Sequence, residues 1–303
     1  MNRCDICGME ITAGDRYHSA CLRRLFDTPH TIALKLSLSD IPIEAQKMAG
    51  KMSISGIQPK LSITRKGNTL IPVQAGGLFI LKPQTQTFRN LPENENLCMN
   101  IAAQLGIDVP PHGLFDLKDG SKAYIVRRFD RTERGEKKQC EDFSQILGAP
   151  DKYSGSVEQI GRRLKEISVF PGLDVQLFFE RILLFFLLGN GDAHLKNFSM
   201  LETEDGTLRL TPAYDIVCSK LVIPNELDSA LVINGKQNKI TRSDFLSFSD
   251  YLDIPRKVRD HILEKLMAIL EVANPNISDS YLPDEDKQRM IQIIEKRWTR
   301  MFK

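Results

Sequence analysis

The segment LDVQLFFERILLFFLL at residues 173–188 is apolar on nearly every face of a helix. A helix of that kind is stable only when other elements enclose it on all sides. Its longest unbroken apolar run, Ile182 to Leu188, is 7 residues, whereas a bilayer span needs about 20. Glu180 and Arg181 interrupt it further. The segment predicts a buried core helix and no membrane span.

Around it the periodicity changes along the chain. Residues 53–82 read as strands, with a hairpin turn at Lys66-Gly67-Asn68 and a last strand, GLFILKP, ending at Pro83. A helix fits Pro92 to Leu105, closed by Gly106, and KAYIVRRF (122–129) is another strand. Residues 156–168 are helical, and 198–212 form two short strands around Glu204-Asp205-Gly206. The tail carries amphipathic helices at 255–272 and 284–302, where Trp298 and the Met290, Ile291, Ile294 stripe belong to the core. A strand-rich first part and a helix-rich second part predict an α+β protein of two lobes. The expected division is a Cys/His head at 1–28 packed on an N-lobe at 29–126, then a C-lobe at 127–303.

At 303 residues the chain buries a sizeable core without disulfides. Its 41 Lys+Arg against 39 Asp+Glu give a net charge of +2, with the signs mixed. No bulk field favours nucleic acid or an anionic membrane, so direct DNA binding is not expected. The start, MNRCDICGMEI, has no apolar signal-peptide region, and the six cysteines read as reduced thiols or metal ligands. A cytoplasmic location is expected.

The chemistry is concentrated in LLGNGDAHLKNFSM (187–200), between the buried helix and the strand pair. Asp192 and Asn197 stand five residues apart, and Asp215 follows the second strand in LTPAYDI. Phosphoryl transfer from ATP needs such a set: one carboxylate for the acceptor hydroxyl, and an Asn oxygen with a second carboxylate for Mg²⁺. The Asp-x-x-x-x-Asn spacing is that of protein-kinase catalytic loops. Singly, loop Asp and Asn residues are more often turn or cap residues; the ordered set reverses that weighting. Lys82, ending its strand, can reach a phosphate from a sheet roof, and Glu95, thirteen residues on, can pair with it. SISGIQPKL (53–61) lies where a phosphate-covering loop belongs, with one glycine and Lys60 to cradle phosphate. Ser53 and Ser55 are candidate phospho-acceptors there, because added charge would repel ATP.

The head CDICGMEITAGDRYHSACLRRLF supplies a second pattern. Cys4-x2-Cys7, then ten residues, then His18-x2-Cys21 offers four ligands at zinc-compatible spacing. The competing reading is that Cys7, Tyr17 and Leu22 simply pack on the N-lobe.

Eight segments in order resemble the HipA family of bacterial toxin Ser/Thr kinases: SISGIQPKL, GLFILKP, ENENLCMNIAAQLGIDVP, YIVRRFDR, EDFSQILG, GNGDAHLKNFSM, LTPAYDIV and LVINGKQNKI. They span roughly residues 50–240. The resemblance implies a two-lobed, protein-kinase-like fold of the HipA type with ATP between the lobes. It implies Asp192 as catalytic base, Asn197 and Asp215 on Mg²⁺, and Lys82 on phosphate. Ser55, Gly56, Ile57, Gln58, Pro59 and Lys60 would form the phosphate loop, and Arg127, Arg128 and Phe129 the adenine-contacting hinge. His194, Lys196 and Tyr214 would lie beside the nucleotide. Ser53 or Ser55 would be the autophosphorylation site that regulates the toxin.

The Ser-Ile-Ser arrangement, and only 52 residues before Ser53, resemble the short HipT branch. That branch implies a tripartite toxin–antitoxin system with a HipS-like small protein and a HipB-like helix-turn-helix DNA-binding protein. The family's known substrates, aminoacyl-tRNA synthetases, give the expected substrate class. The competing expectations are a small-molecule kinase on the same fold and an ATP-binding corepressor scaffold without turnover.

Overall fold

The computed structural model describes residues 3–49 and 59–303. Its first part comprises α1 (Ser19–Phe26), β1 (Ala33–Leu34), α2 (Asp40–Ala49), β2 (Leu61–Lys66), β3 (Thr69–Pro72), β4 (Phe79–Pro83), α3 (Leu91–Gln104), β5 (His112–Asp116) and β6 (Lys122–Arg127). The strands form one sheet in the order β1-β3-β2-β4-β6-β5, antiparallel except for the short β1–β3 pair.

Alternation along β4 and β6 decides what each sheet face does, because successive strand residues point to opposite sides. Phe79, Leu81, Ala123 and Ile125 face the head, where they join Leu22, Leu25, Phe26 and Ile41 in one apolar core. Phe26 meets Phe79 and Phe115 edge-on at ring separations of 5.1 and 5.4 Å, a favourable aromatic geometry. Ile80, Lys82, Tyr124 and Val126 face the opposite side and line a cleft. In register, Lys82 lies opposite Tyr124.

The second part runs β7 (Cys140–Asp142), α4 (Phe143–Ile146), α5 (Val157–Ile167), α6 (Pro171–Leu188), a 3-10 turn at Leu195–Asn197, β8 (Ser199–Glu202) and β9 (Leu208–Leu210). It continues through α7 (Ser219–Val222), α8 (Arg242–Tyr251), α9 (Arg256–Met267), α10 (Ile269–Ser278) and α11 (Asp284–Phe302). Helix α6 is the predicted rod, buried without a break from Phe178 to Leu188. It opens with Pro171 in its first turn, as helix starts favour, and closes at Gly189. The two charges that interrupted its sequence are buried: Glu180 pairs with Lys265 of α9 at 2.7 Å, and Arg181 is 3% exposed. Among the described residues no helix is long and apolar enough to cross a membrane.

Strands β7, β8 and β9 form a small antiparallel sheet beside α6. Asp174, fully buried at the start of α6, accepts from the Leu210 backbone N–H (3.0 Å) and pairs with Arg209 (2.8 Å). That tie fixes the strand pair against the rod. Helix α3 belongs to the second part's core through Leu97, Cys98, Ile101, Ala102 and Leu105, so it ties the two parts together. The stretch expected as one helix at 255–272 is two, with the turn at Ala268. The second runs on through Pro275 to Ser278.

Candidate active site

The cleft between the two parts encloses about 880 Å³. Its roof comes from β4, β6 and α3; its floor comes from the loop after α6 and the segment after β9.

Lys82 joins them. Its ammonium donates to Glu95 Oε1 at 2.6 Å and to Asp215 Oδ1, which lies 133 positions away in sequence. Both Lys82 and Glu95 are buried, with side chains 5% and 2% exposed, while Asp215 is half-buried. Burial alone would lower the Lys82 pKa, yet the two carboxylates hold it above its ordinary value. Burial pushes the Glu95 carboxyl up to about 7 against the pull of Lys82. Asp215 is held well below the usual carboxylate range despite burial, by Lys82 and then Lys60. The site thus keeps Asp215 anionic and Lys82 cationic, as a phosphate- and cation-binding pair requires.

Asp215 has a left-handed backbone at φ 60°. Asp tolerates that region better than most residues, and such outliers gather at functional sites. Asn197 reaches it: Nδ2 donates to Asp215 Oδ2 at 3.2 Å, while Oδ1 accepts the His194 backbone N–H at 2.9 Å. The second lone pair of Oδ1 remains for a hard cation.

Asp192 is anchored from below. Ser219 Oγ accepts from the Gly191 and Asp192 backbone N–H groups at 2.8 and 3.3 Å and donates to Glu226 at 2.6 Å. Gly191 is required by closeness: a Cβ there would sit 2.4 Å from Glu226 Oε2 and 2.5 Å from the Leu227 carbonyl. One Asp192 oxygen, Oδ1, accepts from the Tyr153 hydroxyl at 3.0 Å. Beside it, His194 has its ring edge-to-face with Tyr153 at 5.5 Å and a buried Nδ1 without a partner. Burial and then the Lys152 charge lower its pKa, which favours the neutral ring.

Of the residues expected from sequence, Lys60, Lys82, Glu95, Arg127, Arg128, Phe129, Asp192, His194, Lys196, Asn197, Tyr214 and Asp215 all line this cleft. The side chains of Arg127 and Arg128 are committed elsewhere: Arg127 to Asp27 at 2.8 Å, Arg128 to Asp130 through two bonds of 2.7 and 2.8 Å. Phe129 and Tyr214 pair at 5.3 Å, and the Tyr214 hydroxyl donates to the Lys196 carbonyl at 2.8 Å. Pro59 is described but does not line the cleft. Ser53, Ser55, Gly56, Ile57 and Gln58 lie outside the described residues. Tyr153, Ser219 and Glu226 escaped the sequence reading because each reaches Asp192 or its loop only through the fold. Cys140 also lines the cleft, but burial raises its thiol to about 11, which keeps it protonated and poorly nucleophilic. The four head residues Cys4, Cys7, His18 and Cys21 come together away from the cleft.

A model of the HipA-like C-terminal domain matches residues 52–273. A Haemophilus influenzae (strain Rd) protein named "Putative kinase" is 28% identical over 291 residues, covering 85% of this chain and 83% of that protein. The Serine/threonine-protein kinase toxin HipA of Shewanella oneidensis is 28% identical over 243 residues, 72% of this chain and 55% of the toxin. The chain therefore spans most of the first relative and about half of the second. The solved Shewanella oneidensis MR-1 HipA, in complex with HipB and operator DNA, matches with a TM-score of 0.67 at 24% identity. That match covers 82% of this chain and 63% of the solved one. The α+β architecture with its roof sheet and helical floor is this kinase-like fold.

Proposed function

The chain belongs to the HipA-like C-terminal domain family, and from that membership we propose that it is a Mg²⁺- and ATP-dependent serine/threonine kinase. The observation that carries the reading is Lys82, bonded to roof Glu95 and floor Asp215 across a cleft that also holds Asp192 and Asn197.

In this reading Lys82 holds ATP phosphates, and Glu95 keeps the lysine aimed. Asn197 and Asp215 hold Mg²⁺, which when bound neutralises phosphate charge. Asp192 takes the proton of a Ser/Thr hydroxyl through the oxygen that Tyr153 leaves free. The hydroxyl oxygen then bonds the γ-phosphorus as the bond to ADP breaks, and ADP departs. Ser219 acts by positioning, since it holds the Asp192 backbone N–H and not the reactants, and Glu226 acts by holding Ser219. Catalysis is mostly orientation and charge placement.

The finer assignments belong to the same proposal. The chain would act in the cytoplasm as the toxin of a toxin–antitoxin system of the short HipT type. Its partners would be a HipS-like small protein and a HipB-like DNA-binding protein. The solved Shewanella relative is a complex with HipB and operator DNA, which supports the second partner. The substrate would be an aminoacyl-tRNA synthetase, and phosphorylation of Ser53 or Ser55 would regulate activity. The expected domains remain the head at 1–28, the N-lobe at 29–126 and the C-lobe at 127–303.

An acceptor screen with γ-labelled ATP in a cell extract tests the class. The reading predicts Mg²⁺-dependent label on serine or threonine of protein. Label on metabolites with none on protein identifies a small-molecule kinase instead. ATP binding without any turnover by unphosphorylated chain leaves a nucleotide-binding scaffold.

A further inference from the structure

The head carries a site that the cleft does not use. Cys4, Cys7, His18 and Cys21 bring one ligand atom each to within 4.8 Å of one another. Cys7 Sγ lies 3.4 Å and Cys21 Sγ 3.8 Å from His18 Nδ1. A tetrahedral zinc centre, with Zn–S of about 2.3 Å and Zn–N of about 2.0–2.1 Å, requires ligand separations of roughly 3.5–3.8 Å.

The surroundings are arranged for a cation at that point. His18 Nε2 lies 3.0 Å from the Glu10 carbonyl, so Nε2 carries the proton and donates, and Nδ1 turns its lone pair toward the thiols. That outer hydrogen bond is the usual partner of a metal-bound histidine. The His18 backbone N–H donates to Cys4 Sγ at 3.4 Å. Cys21 lies in the first turn of α1. The Cys4–Cys7 segment closes as a tight turn, Gly8 N–H donating to the Cys4 carbonyl at 2.8 Å. Gly8 has φ +69°, and a Cβ there would come within 2.7 Å of Asn276 Oδ1 and 2.9 Å of Gln104 Nε2.

We propose that Cys4, Cys7, His18 and Cys21 bind one Zn²⁺ in a closed Cys3His site that clamps the head onto α3 and the far end of the helical part. All four positions are filled by protein, so the site is structural and has no place for a substrate. The clamp contacts are specific. The Asp5 carbonyl accepts from Leu114 N–H of β5 at 2.9 Å and from Asn96 of α3 at 3.3 Å. The Cys7 carbonyl accepts from Gln104 of α3 at 3.0 Å. Arg3 pairs with Asp279 at 2.7 Å, and Tyr281 donates to the Asp5 carboxylate at 3.2 Å. Helix α3 carries Glu95, so the metal steadies the helix that aims Lys82 without touching the cleft.

The test uses the full chain purified under reducing conditions without chelator. Elemental analysis should find about one Zn per chain, and X-ray absorption should show three sulfurs near 2.3 Å and one nitrogen near 2.0–2.1 Å. Cys21→Ser should lower zinc at least fivefold, while Cys98→Ser, which removes a buried thiol of the other core, should leave it unchanged. Because absorption on the unaltered chain needs no variant, misfolding of Cys21→Ser does not blunt the test. Less than about 0.2 Zn per chain after reconstitution with Zn²⁺, or a shell without sulfur, overturns the site. Amide exchange in 91–104 should quicken at least tenfold once chelator strips the metal; unchanged exchange there overturns the clamp.

Discussion

Lys82 is held by two carboxylates at once, and that makes it the most informative residue to change. Lys82→Met leaves Glu95 buried without a counter-charge. Breaking a buried pair from one side costs roughly 3–5 kcal/mol. The expected outcome is a fall in urea-unfolding stability of about 3 kcal/mol, with part recovered in Lys82→Met/Glu95→Gln. Full additivity of the two changes would deny the coupling. Glu95 also makes a pH prediction. Its carboxyl is raised from 4.5 to about 7 by burial. Between those values the folded chain holds a proton that the unfolded chain has released, so stability from this group falls as pH rises through that window. Glu95→Gln should flatten the decline; an identical slope in both proteins contradicts it. Asp215 works oppositely, its contribution present above the ordinary carboxylate range and lost on acidification. At this scale the sequence made Asp192, Asn197 and Asp215 visible because their spacing within and after one loop is chemically specific, and Lys82 visible because it ends a strand. Tyr153 and Ser219 stayed hidden. They reach Asp192 from 39 and 27 positions away, and a lone tyrosine or serine in sequence carries no such signal.

Among the elements, those with strong local signals were legible. Helix α5 begins at a capping box, Ser156 Oγ accepting the Gln159 N–H at 3.2 Å and Gln159 returning the bond at 3.0 Å. Helix α6 was readable from its apolar girth, and β2–β3 from the turn that contains Gly67 at φ 60°. Strands β5 and β7 were missed: five and three residues long, they exist because β6 and β8 offer pairing partners, not because of their own alternation. Helix α8 was missed although Thr241 caps it, since its apolar residues are sparse. The loop after α6 supports a further prediction. Gly191→Ala puts a methyl against Glu226 and the Leu227 carbonyl, and overpacking of this kind costs typically 1–3 kcal/mol. Because the shift moves Asp192, kcat should fall at least tenfold with the KM for ATP nearly unchanged. A loss confined to ATP KM would place the strain elsewhere.

For the whole molecule, the sheet divides its labour between two faces. One face is sealed by the head and the other roofs the cleft, which is why a strand that alternates Leu81 and Lys82 serves both core and chemistry. The two-lobed α+β organisation was readable from the shift of period along the chain. The contacts of Arg3, Asp5 and Gly8 with residues 276–281 were not, because they join opposite ends of the sequence. In the proposed mechanism Asp192 accepts a hydroxyl proton in a cleft that would hold Mg²⁺ and ATP. Its most direct test is phosphoryl transfer from γ-labelled ATP by the intact chain and by Asp192→Asn, with ATP binding titrated on both. Expected are ATP affinities within about threefold, equal unfolding midpoints, and transfer reduced by at least about 10²-fold in the variant. Wild-type transfer by Asp192→Asn would contradict it.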